Sequence, residues 1–387
     1  MPEPVIVACG RTPIGRAHKG SLVDWRPDDL GALVLERVLA QIPALDPTAI
    51  EDVLCGCGLP GGESGFNLGR AISLLAHVDA PGATITRYCS SSLQTTRMAA
   101  HAIRAGEGDV FASVGVETVS RYRHGTSDPP DARNPRLLPG NPEHLPDLYL
   151  AMGQTAENVA DQEGVTRAEM DAFAVRSQAR AVQAQADGFF AREIIPVPLA
   201  DGRQLDRDDG PRPGTTLEVL AALTPAFREG GRVTAGNSCP LNDGAAAVIV
   251  MSATRAAALG LPPLARILAT GVSALRPEVM GLGPIAASRQ ALQRAGMTIA
   301  DIDIVEINEA FAAQVLPAAR GLGLDPLGDV LNPFGGSIAL GHPFGMTGAR
   351  ITCTLLNGLR TRDQSIGLET MCVGGGQGMA MILERLA

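Results

Sequence analysis

Residues 84–116 read TITRYCSSSLQTTRMAAHAIRAGEGDVFASVGV, and this stretch carries the pattern that decides the fold. Residues 84–88 are a short strand candidate, residues 90–104 predict a helix, and residues 109–116 predict a strand that is apolar on both faces. A strand of that kind is buried on both sides, and its alternation with helices is typical of α/β proteins. The stretch therefore predicts a buried sheet covered by helices.

The second half of the chain repeats this order. Residues 341–346 are predicted to open a helix that runs to about residue 359, and residues 365–370 lead into a glycine-rich turn and an apolar strand at 379–383. Two similar sets of strands and helices predict a duplicated α/β architecture.

Each half also has a helix and a strand upstream of this stretch. A helix at 28–40 precedes a strand at 53–55, and a helix at 285–294 precedes a strand at 303–307. The matching order supports the duplication.

A third kind of segment lies between the halves and is rich in Arg, Asp, Pro and Gly. Its clearest element is a helix that starts with a capping box formed by Thr166 and Glu169. The predicted domains are therefore an N-terminal half (1–119 with 233–264), an inserted loop domain (120–232) and a C-terminal half (265–387). A long insertion on a rigid scaffold is a candidate substrate-binding region.

Composition excludes several classes of protein. The 387 residues carry a formal net charge of −9 without a basic cluster, so the chain lacks the positive field that nucleic acids and anionic membranes require. It has no signal peptide and no apolar run of membrane-spanning length, which predicts a cytoplasmic protein. Seven cysteines in such a chain are predicted to be reduced thiols.

Cys89 is the first candidate for chemistry. It stands just before a predicted helix, where unpaired backbone N–H groups and the helix dipole are expected to lower its pKa and favour a nucleophilic thiolate. The alternative is a small buried thiol at a tight turn, which is the commoner role of a lone cysteine.

Three further segments add context. His342 lies in a Gly/Pro loop and is either a base or a hydrogen-bonded turn residue. Cys372 is followed by GGGQG, whose backbone N–H groups suit a developing oxyanion and which lacks the Lys-Ser/Thr end of a P-loop. Asn308 follows a predicted strand and either orients a water or carbonyl or caps a helix. We predict no metal site, because the pair Cys55 and Cys57 has no neighbouring ligands to complete it.

Four separated motifs together resemble the thiolase family: YCSSSLQ (88–94), NEAFA (308–312), GGSIALGHPFGMTGAR (335–350) and CVGGGQG (372–378). RTPIG (11–15), MGQTAENVA (152–160) and TAGNSCPLNDGAAAV (234–248) extend the likeness over essentially the whole chain. The resemblance implies duplicated βαβαβ halves in a five-layered αβαβα arrangement with an inserted loop domain, assembled as a homodimer or homotetramer.

The resemblance also implies roles for the candidate residues. Cys89 would be the nucleophile that takes the acyl group, His342 its base, and Cys372 the acid/base that acts on the acetyl-CoA enolate. One oxyanion site would use His342 and a water held by Asn308, and the other would use the backbone N–H groups of Cys89 and Gly374. Coenzyme A enters as a substrate, and no cofactor is expected.

The substrate-binding residues are predicted where this chain meets or departs from the family pattern. Met152 and Ala151 are candidates for the acyl site, because Ala151 replaces a histidine of short-chain members and leaves room for a longer or branched chain. Cys239 replaces a serine that contacts the coenzyme, and Arg212 is a candidate for its phosphates. Ser92 stands where a glycine is usual, so packing around the first helical turn is expected to differ.

The predicted function is thiolytic cleavage of 3-ketoacyl-CoA with CoA in fatty acid β-oxidation, giving acetyl-CoA and a shortened acyl-CoA. The alternative is acetoacetyl-CoA synthesis by the same residues in reverse. A non-catalytic acyl-CoA or lipid-binding relative is a further alternative, disfavoured because the four motif residues are intact. Decarboxylating condensation, which shares the duplicated fold, is disfavoured by Cys372.

Overall fold

The computed structural model describes all residues 1–387. The strands are β1 (Pro4–Arg11), β2 (Gly15–Arg16), β3 (Asp52–Gly56), β4 (Gly82–Ile85), β5 (Val110–Thr118), β6 (Val197–Pro198), β7 (Gln204–Leu205), β8 (Asn242–Ser252), β9 (Ala265–Ala274), β10 (Ile304–Ile307), β11 (Ile366–Val373) and β12 (Gln377–Arg385). The helices are α1 (Pro27–Leu39), α2 (Leu68–Leu75), α3 (Ser91–Ala105), α4 (Met152–Gln162), α5 (Arg167–Ala186), α6 (Leu217–Ala221), α7 (Ala253–Ala258), α8 (Gly283–Ala295), α9 (Ala312–Gly321), α10 (Ser337–Leu340) and α11 (Thr347–Thr361).

The sheet topology confirms the duplication. The strand order is β10-β11-β12-β9-β1-β8-β5-β3-β4, and β1 and β9 join the two halves through a short antiparallel contact at Val5 and Ile6. Outward from that contact, the first half-sheet has the order β1-β8-β5-β3-β4 and the second has the order β9-β12-β11-β10, so each strand of the second half corresponds to the strand at the same position in the first. The counterpart of β4 is reduced to a single parallel bridge between Val305 and Leu331.

The helices fall into three layers around the two half-sheets. Helices α3 and α11 pack against each other and against strands of both halves. Helices α1 and α2 cover the outer face of the first half-sheet, and α8 and α9 cover that of the second. Three hydrophobic cores follow from this layering, one beneath each outer helix layer and one around the central helices. The predicted five-layered α/β fold is therefore confirmed.

Element boundaries differ from the sequence predictions at two places within the motifs described above. Helix α11 begins at Thr347 rather than within residues 341–346, because Gly341 has a φ of +116° and Pro343 follows it. Strand β11 continues to Val373, so Cys372 lies in a strand and not in the turn after it.

The inserted segment carries α4, α5, α6 and the two-stranded β6–β7 sheet between β5 and β8. Helix α5 starts with the predicted capping box of Thr166 and Glu169 and packs on α9 and α10 of the C-terminal half. The domain boundaries given above stay a prediction. No helix of the fold combines the length and the apolar character that crossing a membrane requires.

Candidate active site

Cys89 lies in a short 3-10 turn, Tyr88–Ser90, between β4 and the start of α3. The turn is tight enough that Tyr88 adopts a φ of +43°, which is unusual for a bulky side chain. The Cys89 side chain is almost completely buried. The motif YCSSSLQ thus holds one thiol at the N-terminal end of a central helix.

The predicted lowering of the Cys89 pKa is wrong. Burial raises the pKa of the Cys89 thiol to about 12, and it outweighs the opposing hydrogen bonds from the backbone N–H groups of Gly374 and of Cys89 itself. Because the thiol is withdrawn from water, the charged form loses more solvation than the helix terminus returns. The Cys89 thiol is therefore neutral at rest.

The glycine-rich hairpin between β11 and β12 brings Gly374 to Cys89. Gly375 and Gly376 have φ values of +76° and +81°, a left-handed pair that turns the chain sharply. The hairpin also carries Cys372, which is fully buried and opposite Gly378 in the β11–β12 register. Burial raises the pKa of Cys372, and the neighbouring Cys89 and Cys239 raise it further.

The tautomer of His342 follows from its contacts. Nδ1 lies 2.6 Å from the Thr347 hydroxyl, and that hydroxyl donates its own hydrogen to the Pro343 carbonyl at 2.7 Å. The hydrogen between Nδ1 and Thr347 must therefore sit on Nδ1, which leaves Nε2 with its lone pair. Burial lowers the pKa of His342 to about 3, with a smaller effect of Arg350, so the imidazole is neutral.

Asn308 is oriented by a second set of contacts. Its Nδ2 lies 3.3 Å from His342 Nε2, and its Oδ1 accepts a hydrogen bond from the Ser337 hydroxyl at 2.6 Å. Ser337 in turn accepts one from the Arg350 guanidinium at 2.9 Å. The carboxamide therefore presents its N–H groups to the imidazole. Helix α9 begins only at Ala312, so Asn308 is not the helix cap that its residue type alone favours.

His342 Nε2 faces Asn308, and no hydrogen bond joins His342 to Cys89. The backbone of the histidine loop is fixed from the first half of the chain. Asn242 accepts the His342 N–H at 2.9 Å and donates to the Gly15 carbonyl at 2.9 Å. A Cβ on Gly341 would lie 2.6 Å from the Asn242 carboxamide, so the contact requires glycine.

Glu117, at the end of β5, holds two loops of the site together. Its carboxylate accepts backbone hydrogen bonds from Gly58 at 2.7 Å, Leu59 at 3.2 Å and Gly345 at 2.8 Å. Burial raises the pKa of Glu117 to about 7, although these hydrogen bonds oppose the shift. The residue therefore ties the histidine loop to the loop after β3.

Cys89 opens into a cavity of about 230 Å³. The cavity is mainly apolar, and its wall is formed by Gly58, Leu59, Tyr88, Cys89, Arg133, Leu148, Tyr149, Leu150, Met152, Phe344, Gly374 and Gly375. An apolar cavity beside a thiol suits a short acyl group.

The predicted substrate-binding residues are distributed unevenly around this cavity. Met152 lines it, whereas the neighbouring Ala151 is exposed and stands outside the lining. Cys239 is near Cys89: burial raises the pKa of Cys239, and the neighbouring Cys89 raises it further. Arg212 is not in the cavity wall, and its backbone N–H donates to Gln178 at 2.9 Å.

The serine that replaces a usual glycine has a clear role. The buried Ser92 hydroxyl accepts a hydrogen bond from the Ala349 N–H at 2.9 Å. Ala349 lies in the first turn of α11, where backbone N–H groups have no partner within the helix. Ser92 therefore links the two central helices, and the expected difference in packing is this hydrogen bond.

Several site residues escaped the sequence analysis: Glu117, Asn242, Ser337, Thr347 and Arg350. Four of them lie inside quoted motifs, NDG at 242–244 and GGSIALGHPFGMTGAR at 335–350, so the motifs marked the right segments without assigning roles. Glu117 carried no signal beyond a carboxylate in a buried strand, VFASVGVE.

Comparisons with known proteins agree over the whole chain. Two family models match, the thiolase N-terminal domain over residues 4–254 and the thiolase C-terminal domain over 261–385. A 3-ketoacyl-CoA thiolase of Bacillus subtilis is 42% identical over 99% of this chain and 100% of its own length. A 3-oxoadipyl-CoA/3-oxo-5,6-dehydrosuberyl-CoA thiolase of Escherichia coli is 44% identical over 97% of this chain and 98% of its own.

Solved structures give the same match. An acetyl-CoA acetyltransferase of Bacillus anthracis superposes with a TM-score of 0.90 at 36% identity, covering 100% of this chain and 99% of that one. A human mitochondrial 3-ketoacyl-CoA thiolase superposes with a TM-score of 0.90 at 35% identity and the same coverage.

Proposed function

Because this chain belongs to the thiolase family, we infer the course of its reaction from the residues that surround Cys89. The protein is an acetyl-CoA C-acyltransferase, which cleaves 3-ketoacyl-CoA with CoA to give acetyl-CoA and a shortened acyl-CoA. The observation that carries this function is the Cys89 thiol, which faces the Gly374 backbone N–H at the floor of an apolar cavity.

Cys89 is the proposed nucleophile. Its sulfur attacks the C3 carbonyl of the substrate while His342 Nε2 takes the thiol proton. Two observations support this assignment: the lone pair of His342 lies on Nε2, and both groups are neutral at rest. Neither Cys89 nor His342 then carries a buried charge before substrate arrives, and charge develops only where the site stabilises it.

Cys372 is the proposed acid. When the C2–C3 bond breaks, its electrons form the acetyl-CoA enolate, and the Cys372 thiol protonates C2. The Cys372 thiolate then takes the proton of the incoming CoA thiol, whose sulfur attacks the acyl-Cys89 thioester. Cys89 leaves and recovers its proton from His342. The raised pKa of Cys372 suits this role, because a carbanion-like centre needs only a weak acid close by.

Two oxyanions need donors in this scheme. The N–H groups of Cys89 and Gly374 are proposed for one oxyanion, and His342 with a water held by Asn308 for the other. Each donor of this kind contributes about 3 kcal/mol to barrier lowering. The orientation of the Asn308 carboxamide supports its proposed role in holding the water, because the hydrogen bond from Ser337 keeps the amide oxygen turned away from the site.

The test compares three cysteine variants with 3-ketoacyl-CoA and CoA, following the loss of the Mg²⁺–enolate absorbance and the acyl-enzyme by intact mass. Cys89→Ala should form no adduct and cleave nothing. Cys372→Ala should accept an acyl group from acyl-CoA more slowly than wild type, because the leaving CoA thiolate lacks its proton donor, and it should cleave no 3-ketoacyl-CoA. Cys9→Ala, a half-buried thiol on β1, is the matched control and should behave as wild type. An adduct on Cys89→Ala, or full cleavage by it, would overturn the assignment.

The reverse reaction is the second candidate, since a structural relative is named an acetyl-CoA acetyltransferase. The same residues serve both directions, because Cys372 as a base would remove the C2 proton of acetyl-CoA. Initial rates measured in both directions on one preparation identify the preferred one.

The setting of the reaction is also a proposal. We place the protein in the cytoplasm, in fatty acid β-oxidation, with CoA as a substrate and no cofactor. The proposed homodimer or homotetramer is supported by β4, which lies at the end of the sheet order, and by apolar side chains beside it. Phe66 is 88% exposed and Leu74 54% exposed. Light scattering of the purified protein decides the assembly, and acetyl-CoA formation after exhaustive chelation, followed without added Mg²⁺, tests the absence of a metal.

A further inference from the structure

Arg133 is the one charged residue in the cavity that Cys89 opens into. The wall around it is formed by leucine, methionine, tyrosine, phenylalanine and glycine residues. A wall of that kind binds an alkyl chain without any need for charge. The Arg133 side chain is exposed to solvent, so its guanidinium lies where the cavity opens and is the one charged group there that can bind an anion.

The guanidinium of Arg133 takes part in none of the salt bridges of the fold. Its neighbour Arg136 shows what an ordinary loop arginine does here, since it pairs with Glu143 at 2.6 Å. The pKa of the nearby Asp128 is lowered mainly by the Gly125 backbone N–H and only slightly by Arg133. Asp128 is already engaged by Gly125 and His124.

Arg133 is nevertheless held in place. Its guanidinium lies over the Tyr149 ring, 5.6 Å from the ring centroid, an arrangement that favours a cation. The Tyr149 hydroxyl accepts a hydrogen bond from the backbone N–H of Asn134 at 3.0 Å. The loop and the ring that supports the guanidinium are thus tied together, and both line the cavity.

From these contacts we propose that Arg133 binds a carboxylate at the far end of the acyl chain, so that the enzyme accepts 3-ketoacyl-CoA substrates derived from dicarboxylic acids. An unpaired guanidinium offers two parallel N–H donors that match a carboxylate. The inference rests on the proposed function, because it identifies the substrate class of the same site.

The phosphates of coenzyme A are the other negatively charged groups of the substrate that an arginine can bind. Arg133 and Cys89 line one cavity of about 230 Å³, whereas the pantetheine arm between the reacting sulfur and the pyrophosphate has more than ten bonds and extends to about 15 Å. A guanidinium that shares this small cavity with Cys89 is therefore closer to the acyl chain than to the phosphates.

The test uses two six-carbon substrates of equal length, 3-oxoadipyl-CoA with a terminal carboxylate and 3-oxohexanoyl-CoA with a terminal methyl group. kcat and KM are measured for the wild type, Arg133→Gln, Arg133→Lys and the control Arg136→Gln. Arg133→Gln should lower kcat/KM for 3-oxoadipyl-CoA by tenfold or more, mainly through KM, and leave 3-oxohexanoyl-CoA within twofold. Arg133→Lys should recover part of the loss, and Arg136→Gln should change neither substrate.

Each other outcome overturns the proposal. An equal loss for both substrates in Arg133→Gln identifies a phosphate contact, and no loss for either shows that Arg133 is not used. If the wild type cleaves 3-oxohexanoyl-CoA but not 3-oxoadipyl-CoA, the carboxylate inference fails while the proposed function stands. If it cleaves neither, both fail. Inhibition of the wild type tests the same proposal without a variant: adipyl-CoA should inhibit thiolysis more strongly than hexanoyl-CoA does.

Discussion

Replacing Thr347 by valine tests whether the tautomer of His342 is set by one hydroxyl. Valine has nearly the shape of threonine, so the packing at the start of α11 is kept. What disappears is the oxygen that accepts the Nδ1–H of His342 at 2.6 Å and donates to the Pro343 carbonyl at 2.7 Å. The imidazole is buried, so water does not replace the lost acceptor.

The expected magnitude follows from the two states left to the imidazole. If the hydrogen stays on Nδ1, a buried donor lacks a partner, which costs about 1–3 kcal/mol. If the hydrogen moves to Nε2, the Nε2–H faces the Asn308 Nδ2 at 3.3 Å, so two hydrogen-bond donors point at each other. Nε2 then has no lone pair to accept the Cys89 proton. A barrier raised by that amount slows turnover roughly fivefold to 150-fold.

The assay measures turnover with 3-ketoacyl-CoA, the pre-steady-state rate of acyl-Cys89 formation, and the free energy of unfolding in urea. Thr347→Ser is the control, because it keeps the hydroxyl and should restore the rate of acylation. If Thr347→Val loses stability but acylates Cys89 as fast as Thr347→Ser does, the hydroxyl only supports the fold and the argument about the tautomer is refuted.

Two further predictions concern the backbone of the histidine loop and the pH dependence of stability. Gly341→Ala should lower the free energy of unfolding in urea by at least about 2 kcal/mol, since its Cβ would lie 2.6 Å from Asn242 at a φ of +116°. The control Gly296→Ala, at a φ of +67° with open space around the added Cβ, should lower it by less. Equal losses in the two variants would contradict a steric clash at Gly341. Burial raises the pKa of Glu117 to about 7, so the folded state binds this proton more tightly than the unfolded state, and the stabilisation is complete below about pH 4 and lost as pH rises through 7. Glu117→Gln should flatten the fall in unfolding free energy between pH 5 and 8, and an unchanged slope would count against the assignment.

Much of the fold was readable because its signals are local. The helix in residues 90–104 differs by one residue at each end from α3 (Ser91–Ala105), and the strand in residues 109–116 lies within one or two residues of β5 (Val110–Thr118). The capping box of Thr166 appeared as predicted. The errors fall at Gly341 and Cys372, where a left-handed glycine and a strand pairing from β12 set the boundaries. Neither is visible in a window of neighbouring residues.

The same distinction between local and long-range signals applies to the candidate site. The motifs in the sequence selected Cys89, His342, Cys372 and Asn308, because residue type and glycine spacing limit which segments approach a reacting group. The ionisation of Cys89 was predicted in the wrong direction, since a helix terminus is a local feature and burial is not.

What the sequence determined by itself was the duplicated α/β pattern and the choice of candidate site residues, because both depend on short-range periodicity and motif order. What only the tertiary structure decided was the state of those residues: neutral thiols, a histidine with its lone pair on Nε2, and an unpaired Arg133 beside the nucleophile. Those states depend on groups far apart in the chain, such as Gly15, Asn242 and His342, because desolvation and hydrogen-bond direction are properties of a packed interior.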